Sequence, residues 1–226
     1  MGQLALPLKL QDHAVFESFW PAGNDTAVAY LMDVAGGAAS AGCWLWGRPS
    51  TGKTHLLQAI CTRLGDRSIY VPVGEFVPAS PAVLDGLATR QYVCLDDVHV
   101  AAGRPDWELA LFRLWNIAAE SGVVLIVSAS APPRQAGFGL PDLQSRMAQL
   151  PTFQLVPLAE REQPRALQLR ASHRGLDLPD DTARYLLNRS RRDMSSLYAL
   201  LDKLDTEALK AQRRLTIPFV REVIGT

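Results

Sequence analysis

The chain has 226 residues, 48% apolar and 20% charged, the composition of an ordinary globular protein that can bury one substantial core, alone or with a smaller appendage. Its formal net charge of zero argues against nucleic-acid binding driven by bulk electrostatics, although a local basic patch stays open. Three cysteines, Cys43, Cys61 and Cys94, are odd in number and lack metal-ligand spacing, so they read as reduced core thiols of a cytoplasmic protein. No basic segment followed by an apolar one marks secretion, and the apolar stretch over residues 27–46 is broken by Asp33 and Gly36-Gly37, which argues against a membrane span.

The first residues, MGQLALPL, alternate apolar side chains and carry a proline that forbids helix. Leucines at every second position share one face of an extended chain. They suit either an N-terminal edge strand or a peptide that docks in a groove on a partner. Phe16, Phe19 and Trp20 precede Pro21 and read as packing residues, with stacking beside an adenine base as the alternative. Asn24-Asp25 caps a predicted helix that reaches Val34.

The chain turns on residues 47–54, GRPSTGKT, which fit G-x-x-x-x-G-K-[ST] in full. A loop that wraps phosphates must turn sharply and bring its backbone N–H groups against anionic oxygens, hence glycine at Gly47 and Gly52. Lys53 supplies charge to the terminal phosphates, Thr54 offers a hydroxyl to Mg2+, and the helix that starts here points its positive end at the anion. The run CWLW before the loop reads as a buried strand and THLLQAI after it as a helix to Leu64, the context this mechanism needs. The predicted nucleotide-binding set is therefore Gly47, Arg48, Pro49, Ser50, Thr51, Gly52, Lys53, Thr54 and His55.

Strand character follows over 68–71, a short helix over 81–87, and an apolar strand over 91–95 closed by Asp96-Asp97. An apolar strand that ends in a carboxylate supplies the second half of a nucleotide site, with Asp96 holding Mg2+ or its water shell. Asp97 stands where a water-activating acid would sit. Trp107, Leu111, Leu114, Trp115 and Ala118 keep helical spacing behind Asp106 as cap and stop at Ser121-Gly122. Residues 123–127 read as a strand buried on both faces, as in a parallel sheet covered by helices. The run Ser128-Ala129-Ser130 could place a hydroxyl near the γ-phosphate. A short helix begins at 140–143, Arg146 follows, and 152–155 offers a last strand. After Pro157 the texture changes to helices alone, over about 160–174, 180–188, 194–213 and 217–224. The prediction is an α/β nucleotide-binding core with a mainly parallel sheet between helices, followed by a small helical lid.

GKTHLL at 52–57, the Asp96-Asp97 strand end, the Ser145-Arg146 pair and the helical lid resemble the AAA+ core of the bacterial replication initiator DnaA, over roughly residues 14–226. The opening QLALPL resembles a motif that binds the groove of the replicative sliding clamp. With PPRQ at 132–135, GLPDL at 139–143, RRLTIPFVREV at 213–223 and an end directly after the lid, the chain is similar to the Hda family of DnaA-related regulatory inactivators.

The resemblance implies three parts: a clamp-binding tail over 1–12 with Gln3, Leu4, Leu6, Pro7 and Leu8 as contacts, an AAA+ core over 13–157 and a lid over 158–226. It implies ADP or ATP with Mg2+ as cofactors. As partners it implies the sliding clamp (the beta subunit of DNA polymerase III), the initiator DnaA and a second copy of the chain, with DNA met only indirectly and no membrane. Docked on the clamp, such a protein stimulates hydrolysis of initiator-bound ATP and so inhibits replication initiation. Arg146 matches the arginine finger of the family, while its own turnover through Asp97 is weak or absent. Two departures stand out: Ser195 replaces the lid's nucleotide-sensing arginine, with Arg191 or Arg192 as substitutes from another face, and Ser130 replaces an aspartate as polar sensor. A competing reading is an ATP-driven loader or remodeller of a replication protein such as a helicase. A third is direct DNA binding through Arg184, Arg189, Arg191 and Arg192.

Overall fold

Four short runs rich in apolar residues and one three-residue edge strand form one parallel sheet: β1 (Cys43–Trp46), β2 (Ser68–Pro72), β3 (Tyr92–Asp96), β4 (Val124–Ala129) and the edge strand β5 (Thr152–Gln154), in the order β2-β3-β4-β1-β5. The computed structural model describes residues 14–189 and 194–225, and of Ser195 only its helical backbone. The tail contacts Gln3, Leu4, Leu6, Pro7 and Leu8, together with Arg191 and Arg192, lie outside the described residues. Among the described residues, no helix is long and apolar enough to cross a membrane.

The helices of the sheet unit are α1 (Asp25–Gly36), α2 (Lys53–Leu64), the single turn α3 (Val73–Phe76), α4 (Pro105–Ser121) and α5 (Pro141–Met147). Pairing places Trp44, Val127, Leu95 and Val71 side by side in one row across β1, β4, β3 and β2. That row packs with Trp107, Leu111 and Leu114 of α4 and with Leu143 and Met147 of α5. Side chains alternate along a strand, so the neighbouring row of Cys43, Ile126, Cys94 and Tyr70 faces the other way, where α2 packs on β2, β3 and β4. Both faces of β4 are thus covered, and Leu125, Ile126 and Val127 are all buried. The three cysteines are buried free thiols.

Three local expectations change. Pro105 opens α4, with Arg104 at the cap position and no side-chain cap bond, so Asp106 lies within the first turn. Proline is pre-set for that first position, where its missing N–H costs nothing. In place of the helix expected over 81–87 stand two tight turns, Pro81–Leu84 and Leu87–Thr89, separated by Gly86 in a left-handed conformation. Asn24 makes no cap bond to α1. Its buried amide instead donates to the Val156 carbonyl (3.1 Å) and accepts from the Val156 N–H (2.8 Å), fastening the start of α1 to the chain just beyond β5.

The described chain divides into two compact units, one of residues 14–16 and 23–156, the other of 17–22, 157–189 and 194–225. The second holds α6 (Gln163–His173), α7 (Asp180–Arg189), α8 (Met194–Ala211) and α9 (Ile217–Ile224) around a core that includes Leu167, Leu186, Leu201, Leu204 and Phe219. Trp20, which sequence alone places with the sheet, packs in this helical unit and donates its indole N–H to Glu162 at 3.0 Å. Within the unit, Arg174 bridges Asp202, and the Arg170 guanidinium lies 4.3 Å from the centre of the Tyr198 ring.

Candidate nucleotide site

The loop from Gly47 to Thr54 leaves the C-terminal end of β1, a strand flanked by β4 and β5, and feeds directly into α2. Gly52 sits at the cap of α2 with φ 94°, where a side chain would be strained. A Cβ on Gly47 would lie 2.4 Å from the backbone oxygen of Leu155. Both glycines are therefore required by the backbone, as a phosphate-wrapping turn demands. Thr51 fixes the middle of the loop by donating to the Arg48 carbonyl at 3.0 Å. Arg48, Pro49 and Thr54 are exposed, and Ser50 takes a positive φ of 62°.

Lys53 is 8% exposed and folds back over the loop, its Nζ donating to the carbonyls of Gly47 (3.0 Å) and Arg48 (3.1 Å). Burial lowers its pKa, and the nearby Asp97 and Asp96 partly restore it. The first N–H groups of a helix lack intrahelical acceptors, so an ammonium and a set of backbone donors converge on the loop. The His55 ring pairs with the Val15 carbonyl at 2.9 Å; its contribution to an anion would come from the backbone N–H.

At the end of β3, Asp96 is 3% exposed and held on both oxygens: Tyr70 donates to Oδ2 at 2.8 Å, and Ser128 donates to Oδ1. Burial and the adjacent Asp96 carboxylate push the Tyr70 hydroxyl far above its ordinary pKa, so it stays a donor. Ser128 also accepts from the Asp97 N–H at 2.9 Å. Its single hydroxyl thus ties β4 to both acids. Sequence alone does not single out Tyr70, and it raises Ser128 only as one of two hydroxyls for the γ-phosphate, not as a partner of Asp96. The strand pattern does place Ser128 inside a buried run, and a buried hydroxyl requires a partner. Ser130, by contrast, is exposed just past β4.

Asp97 adopts a left-handed backbone (φ 55°) and lies 3.9 Å from His99. Burial first, then Asp96, raises its pKa, while Lys53 and His99 pull it down. A raised folded-state pKa means that the ionised carboxylate opposes folding. Wild-type stability from this group is complete below the unfolded carboxylate range and is lost as pH rises through the raised value. Asp97→Asn is therefore expected to raise the thermal midpoint at pH 7, helped by the tolerance of asparagine for left-handed backbone. The gain should shrink towards acid pH in a scanning-fluorimetry series; a gain that persists unchanged at pH 3, or a loss at pH 7, would sink this account.

Arg146, in the last turn of α5, is exposed and forms no ion pair among the described residues. Its backbone carbonyl accepts from Ala148 and Gln149, while the side chain makes no hydrogen bond to the phosphate loop of its own chain. Loop, acids and Lys53 are thus brought together, and Arg146 makes no hydrogen bond or ion pair with them.

A five-stranded parallel sheet in this order, a glycine-rich loop after β1, paired acids at the end of β3 and a helical unit that follows in sequence make up an AAA+-type fold. Residues 160–224 match the family model described as Hda, lid domain. The fold is similar to domain III of the replication initiation protein DnaA from Thermotoga maritima (TM-score 0.78, 18% identity, 96% of this chain and 98% of that one). It is also similar to AMPPCP-bound DnaA from Aquifex aeolicus (TM-score 0.69, 19% identity, 89% and 68%) and to the Thermotoga maritima RuvB Holliday junction branch migration motor (TM-score 0.67, 16% identity, 96% and 72%). The chain thus shares the fold of DnaA domain III, and its residues 160–224 match the Hda lid model.

Proposed function

We propose that this protein is a negative regulator of replication initiation that binds a nucleotide at Gly47–Thr54, docks on the sliding clamp through residues 1–12, and presents Arg146 to ATP held by the initiator. The observation that carries the proposal is an exposed arginine on α5 that has no ion-pair partner among the described residues, in a chain whose residues 160–224 match the Hda lid model. An arginine supplied in trans needs to be solvent-facing and uncommitted, because it must spread charge at a γ-phosphate on another subunit.

A nucleotide, ADP or ATP, fits the residues present. Lys53, the first N–H groups of α2 and the backbone of the Gly47 turn would hold its phosphates. Mg2+, which neutralises phosphate charge, would meet the Thr54 hydroxyl and, through water, Asp96. Each Asp96 oxygen accepts one hydroxyl in the structure and keeps acceptor capacity for a water. AMPPCP is bound by the Aquifex aeolicus DnaA of similar fold, which supports a nucleotide here. Departures at Ser130 and Ser195 suit a protein that holds its nucleotide as a switch and turns it over slowly. A second copy of the chain is a further proposed partner.

The test loads labelled ATP onto the initiator and follows its hydrolysis with this protein, with and without clamp loaded on DNA. Acceleration should require the clamp, and Gln3→Ala with Leu4→Ala should remove it while nucleotide binding by the purified variant persists. Acceleration that is independent of both clamp and tail would overturn the docking part of the proposal.

A further inference from the structure

Glu108, near the start of α4, is only 3% exposed and has no counter-cation within salt-bridge distance among the described residues. A carboxylate taken out of water is costly unless its lone pairs are filled. Here three backbone N–H groups fill them: Oε1 accepts from Gly103 (2.7 Å) and Gly139 (2.9 Å), and Oε2 accepts from Leu140 (2.6 Å). These donors belong to two segments, the turn before α4 and the residues that lead into α5. Leu140 is the cap residue of α5 and offers no side-chain cap of its own.

α5 spans seven residues, fewer than two turns, too short to hold itself in place without tertiary contacts. Leu143 and Met147, both fully buried, fix the face it turns to the core. The Glu108 carboxylate fixes where the helix begins. Arg146 lies six residues after Leu140, about 9 Å along the axis, so any shift of the entry is carried directly to its guanidinium. We propose that Glu108 is a positioning residue for the arginine finger: its short bond to the Leu140 N–H sets the register and direction in which α5 presents Arg146. This deepens the functional proposal above and rests on it.

Glu108→Gln isolates the bond in question. The amide can keep its oxygen towards Gly103 and Gly139, which turns its NH2 group onto the Leu140 N–H, donor against donor. Leu140→Pro removes the same bond from the other side, and the Leu140 φ of −87° is close to the range that proline takes. The readout is the stimulation of initiator-bound ATP hydrolysis, titrated to saturation with each variant and compared with wild type and Arg146→Ala. Misplacement of a catalytic group by about 1 Å can cost up to about 100-fold, so both variants should lower the plateau rate between about 10- and 100-fold. The concentration for half-maximal stimulation and the affinity for a fluorescent nucleotide should stay near wild type. Simple loss of folded protein would do the reverse, shifting the half-maximal concentration and leaving the plateau intact; that result overturns the inference, as does a wild-type plateau in both variants. Full stimulation by Arg146→Ala would fell the finger proposal itself, and the role of Glu108 with it.

Discussion

Arg146→Ala should abolish stimulation of initiator-bound ATP hydrolysis, a loss of roughly 10³- to 10⁵-fold, the range an arginine finger contributes to phosphoryl transfer. The charge that develops on the transferring group is spread over oxygens that a planar, permanently charged guanidinium can bridge by two N–H groups at once. Lysine presents a point charge on a compact head, so Arg146→Lys should recover little. Neither change should affect folding, because the side chain is exposed and forms no ion pair among the described residues, and surface substitutions of that kind usually stay within about 0.5 kcal/mol. The thermal midpoint and the affinity for nucleotide at the chain's own site are therefore the controls, and both should match wild type. Single-turnover hydrolysis of labelled ATP by the initiator, with the variant in excess on clamp-loaded DNA, gives the answer. A rate within threefold of wild type would leave the protein without its proposed chemistry.

The tight turn at Gly47–Thr54 was legible in the sequence because backbone geometry constrains it so closely: both glycines stand where a side chain would clash or strain the chain. Sheet and lid helices were legible because their apolar periods match their packing, as in the buried run Leu125-Ile126-Val127. What escaped were pairings between residues far apart in sequence. Tyr70 and Ser128 meet Asp96 from neighbouring strands, and nothing local to either residue announces that register. Glu108 reads as a polar position on an amphipathic helix until the loop at Gly139-Leu140 folds over it. Trp20 lies on the sequence side of the sheet unit but spends its indole on Glu162. Asn24 shows the same limit in miniature: its local signature is a helix cap, yet a partner 132 residues away takes both ends of the amide. Local chemistry gives the menu of bonds that a residue can make, and topology decides among them.

Gly47→Ala should remove nucleotide binding at this site and also lower stability, and the two effects share one cause. The new methyl would stand 2.4 Å from the Leu155 oxygen and 3.1 Å from Thr51 Oγ1. Leu155 cannot yield freely, because its own N–H donates to the Trp46 carbonyl at 2.7 Å, the bond that continues the β1–β5 pairing into the start of the loop. Either that bond opens or the loop moves outward. Moving the loop takes the Gly47 and Arg48 carbonyls away from the Lys53 ammonium, so the charge proposed to meet phosphate loses its support. A loss of about 2–4 kcal/mol in stability is expected from a backbone overlap of this kind, which for a chain of this size lowers the midpoint by roughly 4–16 °C. Nucleotide affinity should fall by more than about 100-fold, equivalent to roughly 3 kcal/mol. Lys53→Ala gives the contrast: the loop backbone stays, so affinity should fall while the midpoint drops less. If Gly47→Ala keeps wild-type affinity for ADP and ATP by equilibrium titration, the loop does not wrap phosphate in the way its geometry suggests, and the anion would have to be held by α2 and Lys53 alone.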